Sequence, residues 1–402
     1  MERRGASIVI GMLLLFFLTD ATNAVVRYFE GVSGFLFFTE KLKMSAYSRG
    51  LAWMSIFSLA LFINWSKKSL WAVVGFAVLL FIIGVNWEDK EHLLSWIIRF
   101  TKLTFPFLLW WFLKSVGMNY QKLHWIRNVL LFIIGLQLVI VFIPFLFDLD
   151  IFLSYDPGRF GYSGLIIARN EATFFYLLAA VFVLHLWEQI RDFKYIIWLI
   201  FVLAGTFLLG TKAGLLVIAG ITGYLLVKNF ERHRVLVITI FVLAIAFSLA
   251  GLYWSGMINF YSGLMKEYGF WAMLTSFRSD LFTERVPAVL NEWHWYNYLF
   301  GGVNPATSFV EMDIIDLFLF GGIVGSIVYY FALFKTVFAF KSDNYLGWFL
   351  VGMFFLIGGI AGHFFASGVN ALYLVIVCWF LQKKNECSIK SLQTADFYHF
   401  YP

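Results

Sequence analysis

Residues 171–234 read EATFFYLLAAVFVLHLWEQIRDFKYIIWLIFVLAGTFLLGTKAGLLVIAGITGYLLVKNFERHR. Three apolar runs stand out, near Glu171–Trp187, Tyr195–Gly210 and Ala213–Val227. Each predicts a membrane-crossing helix of around 20 residues, the length that spans a bilayer. The breaks between them differ in kind. The first carries Arg191 and Lys194 and the third Lys228, Arg232 and Arg234, whereas the middle one is the tight Gly210-Thr211-Lys212-Ala213 turn. Lys and Arg excess marks the cytoplasmic side of short loops. The stretch therefore predicts two basic inner loops flanking an outer turn.

Extended in both directions, the pattern predicts about twelve transmembrane helices. The first contains Ile8–Leu18, behind Arg3 and Arg4, with its N-terminus inside; no small-residue cleavage site follows it. Others run near Gly50–Asn64, Leu70–Asn86, Leu93–Leu113, Arg127–Phe147 and Val235–Trp254, and then near Ile314–Phe340, Tyr345–Ala361 and Phe364–Leu381. Every loop placed inside is basic: Lys67 and Lys68, Lys114 with Lys122 and Arg127, Lys335 and Lys341, Lys383 and Lys384. Loops placed outside hold Glu88, Asp89 and Glu91, or Asp148, Asp150 and Asp156. Both termini fall in the cytoplasm. The expected organisation is nine helices in 1–254, a long outer segment in 255–313, three helices in 314–382 and a tail from 383 to 402.

Composition agrees with this class. Of 402 residues, 61% are hydrophobic and 13% charged, against roughly 25% charged in soluble domains. Mean hydropathy is +0.81. The net charge of +6 sits mostly in short loops beside apolar runs, where lipid headgroups account for it, so nucleic acid is not an expected partner. Two cysteines, Cys378 and Cys387, form no disulfide or metal framework. No internal repeat is visible. Most of the 49 Phe residues read as lipid-facing and core filler.

The topology gathers Arg159, Lys212, Arg278, Glu311 and His363 on one face, opposite the basic loops. Such a cluster does not serve orientation; it suits an anionic substrate. In the outer segment, Tyr268-Gly269-Phe270-Trp271 and Trp293-His294-Trp295-Tyr296 predict interfacial helices. Between them lies Phe277-Arg278-Ser279-Asp280, and after them the turn-rich Phe300-Gly301-Gly302 break. Glu311 and Asp313 precede a helix containing Gly321, Gly322 and Gly325, with Asp316 one turn inside.

In their order, Arg159-Phe160-Gly161 ahead of Asn170, the Gly210-Thr211-Lys212-Ala213 turn, the Arg278 segment, the Gly301-Gly302 break and Glu311-x-Asp313 resemble the bacterial O-antigen polymerase and O-antigen ligase family. Many relatives carry a His-Asn pair where this chain has Glu311 to Asp313, and arginine where it has Lys212. The resemblance implies an all-α, GT-C-like, metal-independent glycosyltransferase of the cytoplasmic (inner) membrane that needs no cofactor. Its substrate would be an undecaprenyl-diphosphate-linked oligosaccharide, and its partners membrane lipids and a chain-length regulator. Arg278, Glu311, Asp313 and His363 are then the catalytic candidates. Arg159, Lys212, Arg285 and Asn170 are those for substrate binding.

The chemistry fits those residue types. A diphosphate leaving group calls for arginines, and an attacking sugar hydroxyl calls for a carboxylate or imidazole. Plainer roles stand beside these. Arg159 and Arg285 could pair with Asp156 and Glu284, Lys212 could snorkel, and Glu311 or Asp313 could cap the following helix. His363 could hydrogen-bond its own turn, and Arg169 and Asn170 could cap the helix they begin. Arg99 and Lys102 lie within an apolar run, where they line a channel or mark a tilted helix, with Asp20 a conceivable partner. They keep a transporter or lipid-linked sugar flippase open as the alternative, and a ligase that moves glycan to lipid A core shares the same donor chemistry.

Overall fold

A computed structural model describes residues 2–30, 44–64, 90–116, 120–155, 160–166, 168–229, 253, 256–305 and 307–383. Apart from an isolated bridge between Leu153 and Tyr162, the regular structure among these residues is helical. Seven helices occupy the first part: α1 (Glu2–Glu30), α2 (Met44–Asn64), α3 (Lys90–Val116), α4 (Tyr120–Leu146), α5 (Arg169–Ile190), α6 (Lys194–Leu208) and α7 (Lys212–Asn229). Then come α8 (Met257–Thr275), α9 (Arg278–Glu292) and α10 (Trp295–Phe300), followed by α11 (Asp313–Lys335), α12 (Tyr345–Ile360) and α13 (Gly368–Gln382). Ten of the twelve expected spans coincide with described helices. The one near Leu70–Asn86 lies outside the described residues, as does the one near Val235–Trp254 apart from Tyr253.

Five stretches are long and apolar enough to cross a membrane: Ala6–Val26, His92–Val116, Leu123–Leu146, Arg169–Ile190 and Asp313–Lys335. The chain is a helical membrane-embedded protein. α5 is its central element, buried without interruption from Ala172 to Leu186, as a helix apolar on every side must be. α13 is similarly enclosed, and its Tyr373 meets Phe175 of α5 edge to face at 5.0 Å.

The two ends of the bundle differ. At one end Asn344 Nδ2 donates to the Leu381 carbonyl and Gln382 Nε2 to the Val337 carbonyl, joining the loops that carry Lys335, Lys341 and Lys383. Lys228 and the Tyr224 hydroxyl meet on Glu188 at the same end. At the other end the α6–α7 turn, the α12–α13 turn and the starts of α5 and α11 come together.

Three helices are too short to reach both surfaces. α6 and α13 have 15 residues and α12 has 16, or about 22–24 Å against a hydrocarbon thickness of about 30 Å. Each is about 6–8 Å shorter than that thickness, and irregular backbone within a hydrocarbon layer requires protein cover or a polar cavity. The cover is present: Leu209, Thr211, Phe364, Phe365 and Ser367 are buried. Part of it comes from residues 160–166, whose Tyr162 N–H donates to the Leu208 carbonyl at 2.7 Å. Gln137, fully buried in α4, holds the same loop through the Ser163 carbonyl and the Leu165 N–H.

The aromatic segment near 268–271 lies in α8, which is broken at Gly269, whose φ is +88°, and that near 293–296 straddles a break, with Trp293 and His294 extended between α9 and α10. Tyr268, Phe270, Trp271, Trp295 and Tyr296 are exposed. The Gly301-Gly302 break is a docking device as well as a turn. A Cβ at Gly301 would run into the Phe320 carbonyl, and one at Gly322 into Leu299, so α10 packs backbone to backbone against the kink in α11.

Candidate functional site

The stretch Phe309–Asp313 is held from four directions by charged side chains. Arg285 Nη1 donates to the Phe309 carbonyl at 2.6 Å. The Arg99 guanidinium lies 4.5 Å from the Phe309 ring centroid. Val310 N–H donates to Asp316 Oδ1 at 2.8 Å, and Arg278 Nη2 to Glu311 Oε2 at 3.1 Å. A segment so constrained can keep an unfavourable backbone, and Glu311 does: its φ is +59°. Ser276 (+56°), Phe277 (+66°) and His363 (+76°) are also left-handed. Non-glycine residues in this region cost about 1–3 kcal/mol each and concentrate where function requires a geometry.

Arg278 is the first residue of α9, where a cation opposes the helix dipole by about 0.3–1 kcal/mol. Helix stability therefore does not explain it. Its side chain is 13% exposed, that of Glu311 50%. Nη1 reaches the Thr275 carbonyl at 3.3 Å, and Nε has no hydrogen-bond partner among the described residues. The pair is thus a nearly enclosed fork with one free donor, neutralised by a carboxylate that faces outward.

Asp313 has another task. It is fully buried; Oδ1 accepts from the His363 N–H at 3.0 Å, and Oδ2 accepts from those of Phe364 and Phe365 at 2.5 and 2.9 Å. Arg99 Nη2 lies 3.7 Å from Oδ1. With its oxygens so engaged, Asp313 staples the α12–α13 turn to the start of α11 and is not placed to take a proton from substrate. The staple brings Gly362 against Glu311: a Cβ there would sit 2.6 Å from the Glu311 carbonyl oxygen and 2.8 Å from its carbon. His363, half-buried, follows directly. Arg278, Glu311 and His363 thus belong to one cluster, with Asp313 beneath them.

Gly362→Ala is accordingly expected to separate the His363 turn from Glu311, since backbone cannot yield as a side-chain tip does. A thermal melt should show a loss of about 1–3 kcal/mol, the scale of core overpacking. An unchanged melting temperature would mean that the contact is looser than described.

The remaining expected residues support the cluster from outside it. Lys212 Nζ donates to the Met273 carbonyl and to Ser276 Oγ, and it lies 5.0 Å from the Tyr261 ring centroid, so it fastens the end of α8 and the left-handed Ser276-Phe277 corner that aims Arg278. Arg285 meets the Phe309 carbonyl, which gives it a positioning contact. Asn170 begins α5 beside Arg169, whose guanidinium stacks on Tyr155 at 4.2 Å. Arg159 lies outside the described residues.

Two pairings were not legible in sequence. Arg99 pairs with Asp313, and Asp20 pairs with Arg49 of α2 instead of Arg99 or Lys102. Asp316 was visible as one turn beyond Asp313, but the two carboxylates serve different segments, Asp313 the 363–365 turn and Asp316 the Val310 N–H. Glu171 accepts from Ser367 Oγ at 3.0 Å, and its carbonyl from Asn370 Nδ2 at 2.7 Å, which ties α5 to α13. Among the described residues no group of three or more His, Cys, Asp or Glu is arranged to hold a metal ion. Compared with protein-family models, curated proteins and solved structures, the chain matches none.

Proposed function

We propose that the chain is a membrane glycosyltransferase that polymerises lipid-linked oligosaccharides, transferring a glycan from undecaprenyl diphosphate to the next lipid-linked repeat unit at the outer face of the cytoplasmic membrane. The observation that carries this reading is the Arg278–Glu311 pair, its carboxylate half open to solvent, beside the His363 turn at the end of the bundle where three short helices end. A diphosphate at membrane depth is the anion such a fork would meet.

The arrangement supports a coupled exchange. The donor diphosphate takes the Arg278 guanidinium, including its free Nε, and displaces Glu311. Glu311, or His363 beside it, then accepts the proton of the acceptor hydroxyl. The hydroxyl oxygen bonds to the anomeric carbon, and the bond from that carbon to the diphosphate oxygen breaks with its electron pair leaving on the phosphate. Arg278 stabilises the charge that builds there.

A transporter is the second reading, favoured by the partly buried Asp20–Arg49 pair and the buried Arg99–Asp313 pair. Detergent separates the two. Purified protein given undecaprenyl diphosphate oligosaccharide, with chelator present, is expected to form longer glycans and release undecaprenyl diphosphate. A flippase has no two sides in detergent and forms no product. Elongation that requires added lipid A core would point to a ligase instead, and absence of turnover with authentic repeat units would overturn the polymerase reading.

A further inference from the structure

Beneath the cluster α3 carries the cations Arg99 and Lys102, with Arg49 of α2 near them, and part of their donor set is unfilled. Arg99 is 9% exposed, and neither its Nε nor its Nη2 has a hydrogen-bond partner among the described residues. One turn deeper, half-buried Lys102 has no hydrogen bond or ion pair among them, although Glu171, Arg99 and Arg49 lie within its electrostatic reach. Arg49 pairs with Asp20 through one nitrogen and packs against Gly368, while its Nε is unpartnered.

The nearby acids are already engaged. Asp20 faces Arg49, Glu171 receives the Ser367 hydroxyl, and Asp313 holds three backbone N–H groups. Near these cations the buried side-chain acceptor left without a partner is Asn370 Oδ1. Among the buried side-chain atoms here, the unpartnered cationic donors Arg99 Nε, Arg99 Nη2 and Arg49 Nε outnumber the unpartnered acceptor, and a buried donor left unpaired costs several kcal/mol. An oxyanion corrects that imbalance; a cation or an apolar group does not.

We propose that Arg99, Lys102 and Arg49 form an oxyanion subsite for the lipid-side phosphate of a polyprenyl diphosphate. This rests on the lipid-linked donor of the preceding section. The prenyl chain runs into hydrocarbon, so its phosphate sits deeper than the one bearing sugar. The cations follow the same order: Arg278 lies at the mouth, Arg99 is beneath Asp313, and Lys102 is three residues, or about 4.5 Å of helix rise, further down.

The two phosphates can be read separately. Equilibrium binding of undecaprenyl diphosphate and of undecaprenyl monophosphate is measured with the full-length protein in lipid nanodiscs. Lys102→Met is expected to weaken both about tenfold or more, the scale of a lost charge-assisted hydrogen bond, whereas Lys102→Arg stays within about threefold of wild type. Arg278→Lys should weaken the diphosphate only. Should Lys102→Met fail to fold, Arg99→Gln must reproduce its pattern. Binding of both lipids by Lys102→Met or Arg99→Gln at wild-type strength overturns the subsite, as does equal loss of monophosphate binding in Arg278→Lys. Displacement of the lipid by millimolar inorganic diphosphate would assign the site to a soluble oxyanion and overturn the lipid assignment. Lys102-dependent binding in a wild type that never elongates glycan leaves the subsite standing and removes the polymerase. Elongation with Lys102-independent binding does the reverse.

Discussion

Arg278→Lys is expected to lower glycan elongation about a hundredfold or more while leaving the protein folded, the scale on which a preorganised donor to developing charge is lost. Charge is retained, so the loss would come from geometry. The guanidinium meets Glu311 with Nη2 and the Thr275 carbonyl with Nη1, and keeps Nε free. A lysine ammonium has no planar fork with which to hold a bridging diphosphate. Folding should survive, because a cation at the first position of α9 works against the helix dipole and contributes little to stability. Arg278→Ala should be at least as damaging. Wild-type polymer length and yield from a normally expressed Arg278→Lys protein would remove Arg278 from the mechanism.

What could be read in the sequence, and what could not, divides along sequence separation. Apolar runs near the length of a bilayer crossing announced α1, α4 and α11, because burial or lipid contact along a whole helix leaves a continuous local signal. The Gly301-Gly302 break was legible for the same reason. Its packing on Phe320 was not, since nothing local says which backbone a glycine will approach.

Asp313 shows the limit most clearly. Its position at the start of α11 suited a base or a cap equally. The three N–H groups that occupy it come from residues 363–365, far along the chain. Lys212 likewise looked like a cation beside a turn, and only tertiary structure turns it toward Met273 and Ser276. Asp20 found Arg49, a closer neighbour in the folded chain than the two basic residues of α3. Charges in apolar runs declare that partners exist without naming them.

With Asp313 enclosed, the proton-accepting step falls to Glu311 or His363, and the two fail differently. Glu311→Gln keeps the hydrogen bond to Arg278 and the left-handed corner but removes the basic oxygen. It is expected to lower turnover in the detergent assay by about a hundredfold or more, the scale of a lost general base, with donor binding retained or improved because the competing carboxylate charge is gone. His363→Ala removes the imidazole while keeping the backbone N–H that Asp313 grips. If the imidazole is the base, this variant shows the larger fall in turnover. Asp313→Asn should behave unlike either. Losing a charged acceptor for three N–H groups costs stability on the order of 1–3 kcal/mol per affected bond, so its deficit should appear first in the thermal melt. A folded Asp313→Asn protein with normal melting and a hundredfold lower turnover would return Asp313 to the chemistry. Normal turnover in both Glu311→Gln and His363→Ala would leave the arginine fork as the whole of the catalytic device.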